Sequence, residues 1–186
     1  MAKLPKSALA RRIVKNFERD DFNIFIIHGT PRIGKSAYII KVMQQVLLYF
    51  YGIDANTWKY FKPYFGWDPD EISERWMEIN ERIPMFTWDD AGYWLHSLNW
   101  TDPLLQTIQK YFNVIGTDMN SVILTTPAPE WILSKIAKMP GARARWEAHH
   151  VDLNGPDTLS NCEILCPRCL RLVQASPLPK LATLSR

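Results

Sequence analysis

Short apolar runs alternate along the chain with stretches of helical periodicity. In Ser7–Glu18, Leu9, Ile13, Val14 and Phe17 recur at near-helical spacing with Lys and Arg between them, which predicts an amphipathic N-terminal helix. Asn23–His28 is a continuous apolar run, the pattern of a strand buried on both faces. A glycine-bearing loop follows. Ser36–Tyr51 is then apolar almost all round and is closed by Gly52, so a helix packed deep against a sheet is expected. Tyr64–Trp67 is compatible with a strand. Asp68, Pro69, Asp70 and Glu71 supply an N-cap, a proline at the first helical position and first-turn acids, which predicts a helix to about Glu81. Ile83–Trp88 predicts a second strand, ending in Asp89-Asp90. Thr101 or Asp102 caps a further helix that Gly116 closes. Ser121–Thr126 predicts a third buried strand, and Pro129-Glu130 opens a helix to about Met139.

Strand and helix alternating at these spacings imply an α/β fold, a parallel sheet with flanking helices and right-handed crossovers. The expected organisation is the amphipathic helix over 1–20 and the α/β core over 21–140. A small appendage over 141–174 and a loose tail over 175–186 follow the boundary at Pro140-Gly141, where Arg, His, Asn and Cys replace the apolar runs.

Composition narrows the class without naming it. Apolar residues at 47% and charged residues at 22% are ordinary for a soluble globular protein, and the apolar run Tyr38–Tyr51 is broken by Lys41, Gln44 and Gln45, so no membrane span is expected. The eight Trp and eight Phe point to an aromatic-rich core. The formal charge of +3 is too small to imply nucleic acid by itself. Its basic residues are clustered, however, at Lys3–Lys15 and at Lys135–Arg145, as two solvated helix faces or two phosphate-contacting patches. No signal peptide is legible, and three cysteines near the C-terminus make no disulfide framework, so the cytoplasm is expected.

The loop Gly29-Thr30-Pro31-Arg32-Ile33-Gly34-Lys35-Ser36 fits G-x-x-x-x-G-K-S/T in full, between a strand and a helix. In such a P-loop, backbone N–H groups and the helix dipole face the phosphates of a nucleotide. Lys35 is expected on the β- and γ-phosphates of ATP and Ser36 on Mg²⁺. Asp89 ends a buried strand, where open α/β sheets place ligand groups, and is expected to hold the Mg²⁺. Asp90 is expected to polarise the attacking water; an Asp-Asp turn capping the next helix is the alternative. Thr125 and Thr126, at the end of the third strand, are candidates to orient that water or sense the γ-phosphate.

Together these elements resemble the P-loop ATPases of the AAA+ and RecA-like group. The loop is similar to the AAA+ form G-x-P-G-x-G-K-S/T, with Arg32 where glycine is usual. Because arginine adopts positive φ at a cost, a differently shaped loop is expected. The stretches Phe86–Leu95 and Leu124–Trp131 are similar to small ATPases carried by viruses and plasmids, notably archaeal ones. The resemblance covers about residues 20–140. It implies ATP hydrolysis in a DNA transaction (replication, packaging or transposition) by a homo-oligomer, with Arg143 or Arg145 as a candidate trans-acting finger. A nucleotide-dependent DNA-binding switch is the rival.

Trp146–Val173 resembles the second half of an HNH nuclease motif, through the pair His149-His150, Asn161 and Cys166-Pro-Arg-Cys169. Leu170 stands where that family has a metal-binding His, and the upstream Cys-x-x-Cys is missing. The expectation is therefore a nuclease remnant that does not cleave DNA; an active HNH endonuclease is the alternative. Cys166 and Cys169, with Cys162 and His149, could complete a Zn²⁺ tetrahedron; free buried thiols are the other reading.

Overall fold

The computed structural model describes residues 4–53, 58–99, 101–142, 144–150 and 162–165, the last two stretches as strand backbone. Chain order runs α1 (Ala8–Glu18), β1 (Asn23–His28), α2 (Lys35–Tyr51), α3 (Trp58–Phe61), β2 (Phe65–Gly66) and α4 (Pro69–Met77). Then come β3 (Phe86–Trp88), α5 (Ala91–Trp94), α6 (Pro103–Tyr111), β4 (Ser121–Thr126), α7 (Ser134–Ala137), β5 (Ala144–His150) and β6 (Cys162–Leu165).

The strands form one sheet in the order β2-β3-β4-β1-β5-β6. Neighbours from β2 to β1 pair in parallel, β5 adds to β1 in parallel, and β6 returns antiparallel on β5. The sheet thus continues past Pro140-Gly141, where composition suggested a boundary. Arg145, Glu147, His149 and His150 give β5 none of the continuous apolar character that makes the central strands legible.

Alternation along the central strands divides the core into two layers. Ile24, Ile26, Phe86, Trp88, Val122 and Leu124 pack on one face with Ile72 and Trp76 of α4 and Leu105 and Ile108 of α6. Phe25, Ile27 and Ile123 face the other way, onto Leu9 and Ile13 of α1 and Ile39, Val42, Met43 and Val46 of α2. Each central strand is therefore covered on both sides, which is why it reads as an unbroken apolar run. Among the described residues no helix is long and apolar enough to cross a membrane.

Local chemistry sets most boundaries where they were expected. Asp68 accepts from the Glu71 N–H at 2.9 Å, and Asp102 from the Leu104 and Leu105 N–H groups at 2.8 and 3.1 Å, so both cap the helices that follow. Gly52 stops α2 in the left-handed conformation, φ 64°, its N–H donating to the Leu48 carbonyl.

Other boundaries moved. β3 begins after Pro84, which has no N–H for a ladder, and Ile83 makes an isolated bridge to Met119. α4 ends at Met77 instead of Glu81, because β-branched Ile79, then Asn80 and the acids Glu78 and Glu81, are poor continuations at a helix C-terminus. α6 ends at Tyr111, and a 3₁₀ turn over Ile115–Thr117 takes up the rest of the stretch to Gly116. The helix expected from Pro129 to Met139 is split into a 3₁₀ turn, Pro129–Trp131, and α7. Between them Ile132 is buried and the Leu133 N–H donates to the Leu95 carbonyl at 2.9 Å, which draws the chain out of helical geometry.

Candidate functional site

The C-terminal ends of β1, β3 and β4 carry the residues singled out for chemistry, and the sheet order puts β4 between the other two. The turn from β1 into α2 runs through Gly29 at φ 150°, Arg32 at φ 65° and Gly34 at φ 88°. The two glycines take these values freely. Arg32 takes the left-handed conformation despite its Cβ, at about 1–2 kcal/mol, so the loop keeps that conformation rather than avoiding it as its sequence suggested. Gly34 caps α2 and brings no side chain to the helix's first N–H groups. Lys35 is 8% exposed, and its Nζ donates to the carbonyls of Gly29 and Thr30 at 2.8 and 3.0 Å. The ammonium therefore sits inside the curve of the loop. The Gly29 N–H donates to the Pro127 carbonyl at 3.3 Å, tying the loop to the end of β4.

Opposite the loop, the two acids at the end of β3 have different surroundings. Asp89 is 4% exposed, and its Oδ1 accepts the Thr125 hydroxyl at 2.6 Å. Thr125 Oγ1 in turn accepts the Asp90 N–H at 2.7 Å. One buried hydroxyl thus fixes both acids. Asp90 follows in the left-handed conformation, φ 52° and ψ 31°, at the N-cap position of α5. Its side chain makes no capping bond, so the carboxylate is left to the cleft. Partial burial raises its pKa above the ordinary aspartate value; the neighbouring Asp89 charge adds to this and Lys35 opposes it.

A cleft of about 820 Å³ opens between these parts, and Arg32, Gly34, Lys35, Ser36 and Asp90 are among the residues that line it. Asp89, Thr125 and Thr126 stand behind that surface. Thr126 Oγ1 donates to the Ala128 carbonyl at 2.7 Å and so holds the turn after β4. Both threonine hydroxyls are engaged within the protein, an arrangement that positions the acids and the turn.

Four aromatic residues also line the cleft: Trp67, Tyr93, Trp94 and Trp131. Tyr93 is 67% exposed. The aromatic excess therefore serves two places, the core at Trp88, Phe25 and Phe86 and the rim of the cleft. The rim was missed because nothing in a lone Trp separates it from a core residue; the position of Trp67 and Tyr93 just after strand ends was the available signal. Trp67 is seated by its carbonyl, which accepts from Trp88 Nε1 at 2.9 Å.

Cys166, Cys169 and Leu170 lie outside the described residues. His149 and Cys162 fall on strand backbone, where the register pairs Cys162 with His150 and His149 with Glu163. Among the described residues no group of three or more His, Cys, Asp or Glu side chains is placed to hold a metal.

No model of a known protein family matches the chain. It is similar to uncharacterized protein B-251 of Sulfolobus spindle-shape virus 1, 26% identical over 124 residues, which are 65% of this chain and 49% of that protein. It is also similar to uncharacterized protein ORF286 of Acidianus two-tailed virus, 29% identical over 125 residues, 64% of this chain and 41% of that protein. The chain spans about half the length of the curated relatives it matches. Both relatives are viral, and neither name states an activity.

Proposed function

We propose that this chain is a P-loop ATPase that binds Mg²⁺-ATP in the cleft between the 29–36 loop and Asp90 and hydrolyses it. One observation carries the reading: a glycine-bounded loop at a helix N-terminus, a buried lysine and Asp90 line a single cleft, and one hydroxyl behind it fixes Asp90 to the buried Asp89. Adenine as the base rests on the resemblance of the loop to the AAA+ form.

The residues divide the work. Backbone N–H groups at the start of α2 and the Lys35 ammonium take the charge of the phosphates. The protein offers Ser36 and Asp89 as metal ligands, two oxygens, which suits a Mg²⁺ that completes its shell with water and phosphate oxygens. When bound, the metal supplies neutralisation of the charge on the phosphates. Asp90 accepts a proton from the water that attacks the terminal phosphorus as the bond to the bridging oxygen breaks; its raised pKa makes it a better base than an ordinary carboxylate. Thr125 holds Asp90 and Asp89 in register with each other. A role in a DNA transaction of a mobile element, carried out by an oligomer, rests on the resemblance to small ATPases of viruses and plasmids; the two relatives are viral proteins whose names state no activity.

Equilibrium dialysis of ATP with Mg²⁺ and phosphate release with and without DNA test the assignment. Lys35→Ala is expected to weaken binding at least about tenfold, the worth of a charge-assisted hydrogen bond. Asp90→Asn should bind Mg²⁺-ATP yet lose about 10²–10⁴ in turnover, the usual contribution of a general base. Unchanged ATP affinity in Lys35→Ala would sink the P-loop assignment.

A further inference from the structure

We infer that the outward face of α1 is a contact surface for the phosphate backbone of duplex DNA. The inference extends the DNA half of the proposed function and does not depend on nucleotide hydrolysis.

An α-helix advances about 100° per residue, so Arg11, Arg12 and Lys15 of α1, continued by Arg19 at its C-cap, fall within an arc of about 100° on one side. All four are exposed, and Leu9, Ala10, Ile13 and Val14 fill the opposite side. Among the described residues the two ion pairs are Arg75–Glu71 and Arg82–Asp20, so neither engages this face. Glu18 borders the stripe and accepts the Tyr49 hydroxyl at 2.9 Å.

At its C-terminal end the stripe complements the helix dipole through Lys15 in the last turn, but along its length the charges oppose one another. Arg11 and Lys15, Lys15 and Arg19, and Arg12 and Lys15 are like-charge neighbours at i+4 and i+3, which repel. The first turn carries no acid to complement the helix dipole. A face that served solubility alone would mix the two signs.

The surroundings select the kind of polyanion. A helix that lies on a membrane needs its apolar side for the acyl region, but here that side is already packed in the core against α2 and the sheet. Single-stranded nucleic acid needs exposed aromatic platforms beside the charges. The aromatics next to the stripe instead pack on one another, Phe17 on Phe50 at 4.8 Å and Tyr49 on Phe50 at 5.1 Å. Exposed aromatics do line the cleft, but Asp90 stands among them. What remains is sequence-independent contact with a duplex backbone. From Arg11 to Arg19 the axis rises about 12 Å, the length of duplex axis over which one strand presents three to four phosphates, at about 3.4 Å of rise each.

Fluorescence anisotropy of the full chain with two unrelated duplexes, between 50 and 200 mM salt, tests this. Four neutralised phosphates give a slope of log affinity against log salt of about −3.6. Arg12→Ala/Lys15→Ala should make it shallower by about 2, equally for both duplexes, while DNA-independent phosphate release and the thermal melt stay as in the wild type. Lys35→Ala should keep the full slope, so failure of the ATPase reading and failure of this one are distinguishable. An unchanged slope in the double variant would overturn the inference. So would stronger binding to a single strand than to the duplex, or capture by phosphatidylserine vesicles that the double variant loses.

Discussion

At Asp90 the backbone conformation and the charge state are set by different neighbours. Thr125 Oγ1 accepts its N–H and helps to hold φ at 52°, a conformation that aspartate and asparagine tolerate better than most residues. Partial burial, then Asp89, raise the carboxyl pKa. The sign of the linkage follows. The folded state binds the proton more tightly than the unfolded chain, where the value is near 3.8, so ionised Asp90 opposes folding. That penalty is absent below about pH 3.8 and develops as pH rises through the raised value. Asp90→Asn removes the charge and keeps the left-handed turn. It is expected to be more stable than the wild type at pH 7, by a margin that solvent screening keeps small, with no difference at pH 3. Urea unfolding at the two pH values checks this, and a wild type that is the more stable at pH 7 would contradict the electrostatics proposed for the acid pair. The chain order already shows Asp89 and Asp90 side by side after a strand. That they share one hydroxyl from a residue 35 positions away does not show there.

Elements met their expected boundaries where capping chemistry is local, and departed where a distant partner competes. Asp68, Asp102 and Gly52 act through bonds within four residues, and their helices start or stop as the sequence implies. The stretch after β4 is the contrary case, since Leu133 takes a carbonyl from the end of α5 and interrupts the helix its own sequence favours. α5 shows how closely these elements approach. A Cβ built on Gly92 would lie 2.1 Å from Thr126 Oγ1 and 3.2 Å from Trp131 Cβ. Thr126 is fully buried and bonded to Ala128, so it has nowhere to swing. Gly92→Ala is therefore expected to destabilise the protein by about 1–3 kcal/mol, the range for overpacking a filled site. It should also weaken ATP binding, because the displaced turn carries the Pro127 carbonyl that anchors the loop through Gly29. Denaturant midpoints compared with the wild type measure the first effect and dialysis the second; wild-type stability would mean that α5 is free to move away from β4.

For the molecule as a whole, ligand linkage gives a test that needs no turnover. If the cleft binds Mg²⁺-ATP in the folded state alone, a ligand concentration of 100 times Kd adds about 2.7 kcal/mol to the unfolding free energy. A thermal melt should rise accordingly in the wild type and by about half as much or less in Lys35→Ala at the same ligand concentration, whereas equal rises would place the nucleotide elsewhere. The sequence by itself determined the three central strands, because a strand covered on both faces is apolar along most of its length. It determined the turn into α2 too, because Gly29 and Gly34 take positive φ, which glycine adopts without steric cost. Tertiary structure alone decided the strand order that sets β4 between the loop and the acids, and with it the Thr125 bridge. It also added β5 to the sheet and gathered Trp67, Tyr93, Trp94 and Trp131 into one wall. These are contacts between residues far apart in the chain. Local propensity carries no record of them, since burial and hydrogen bonding are satisfied across the fold and not along the sequence.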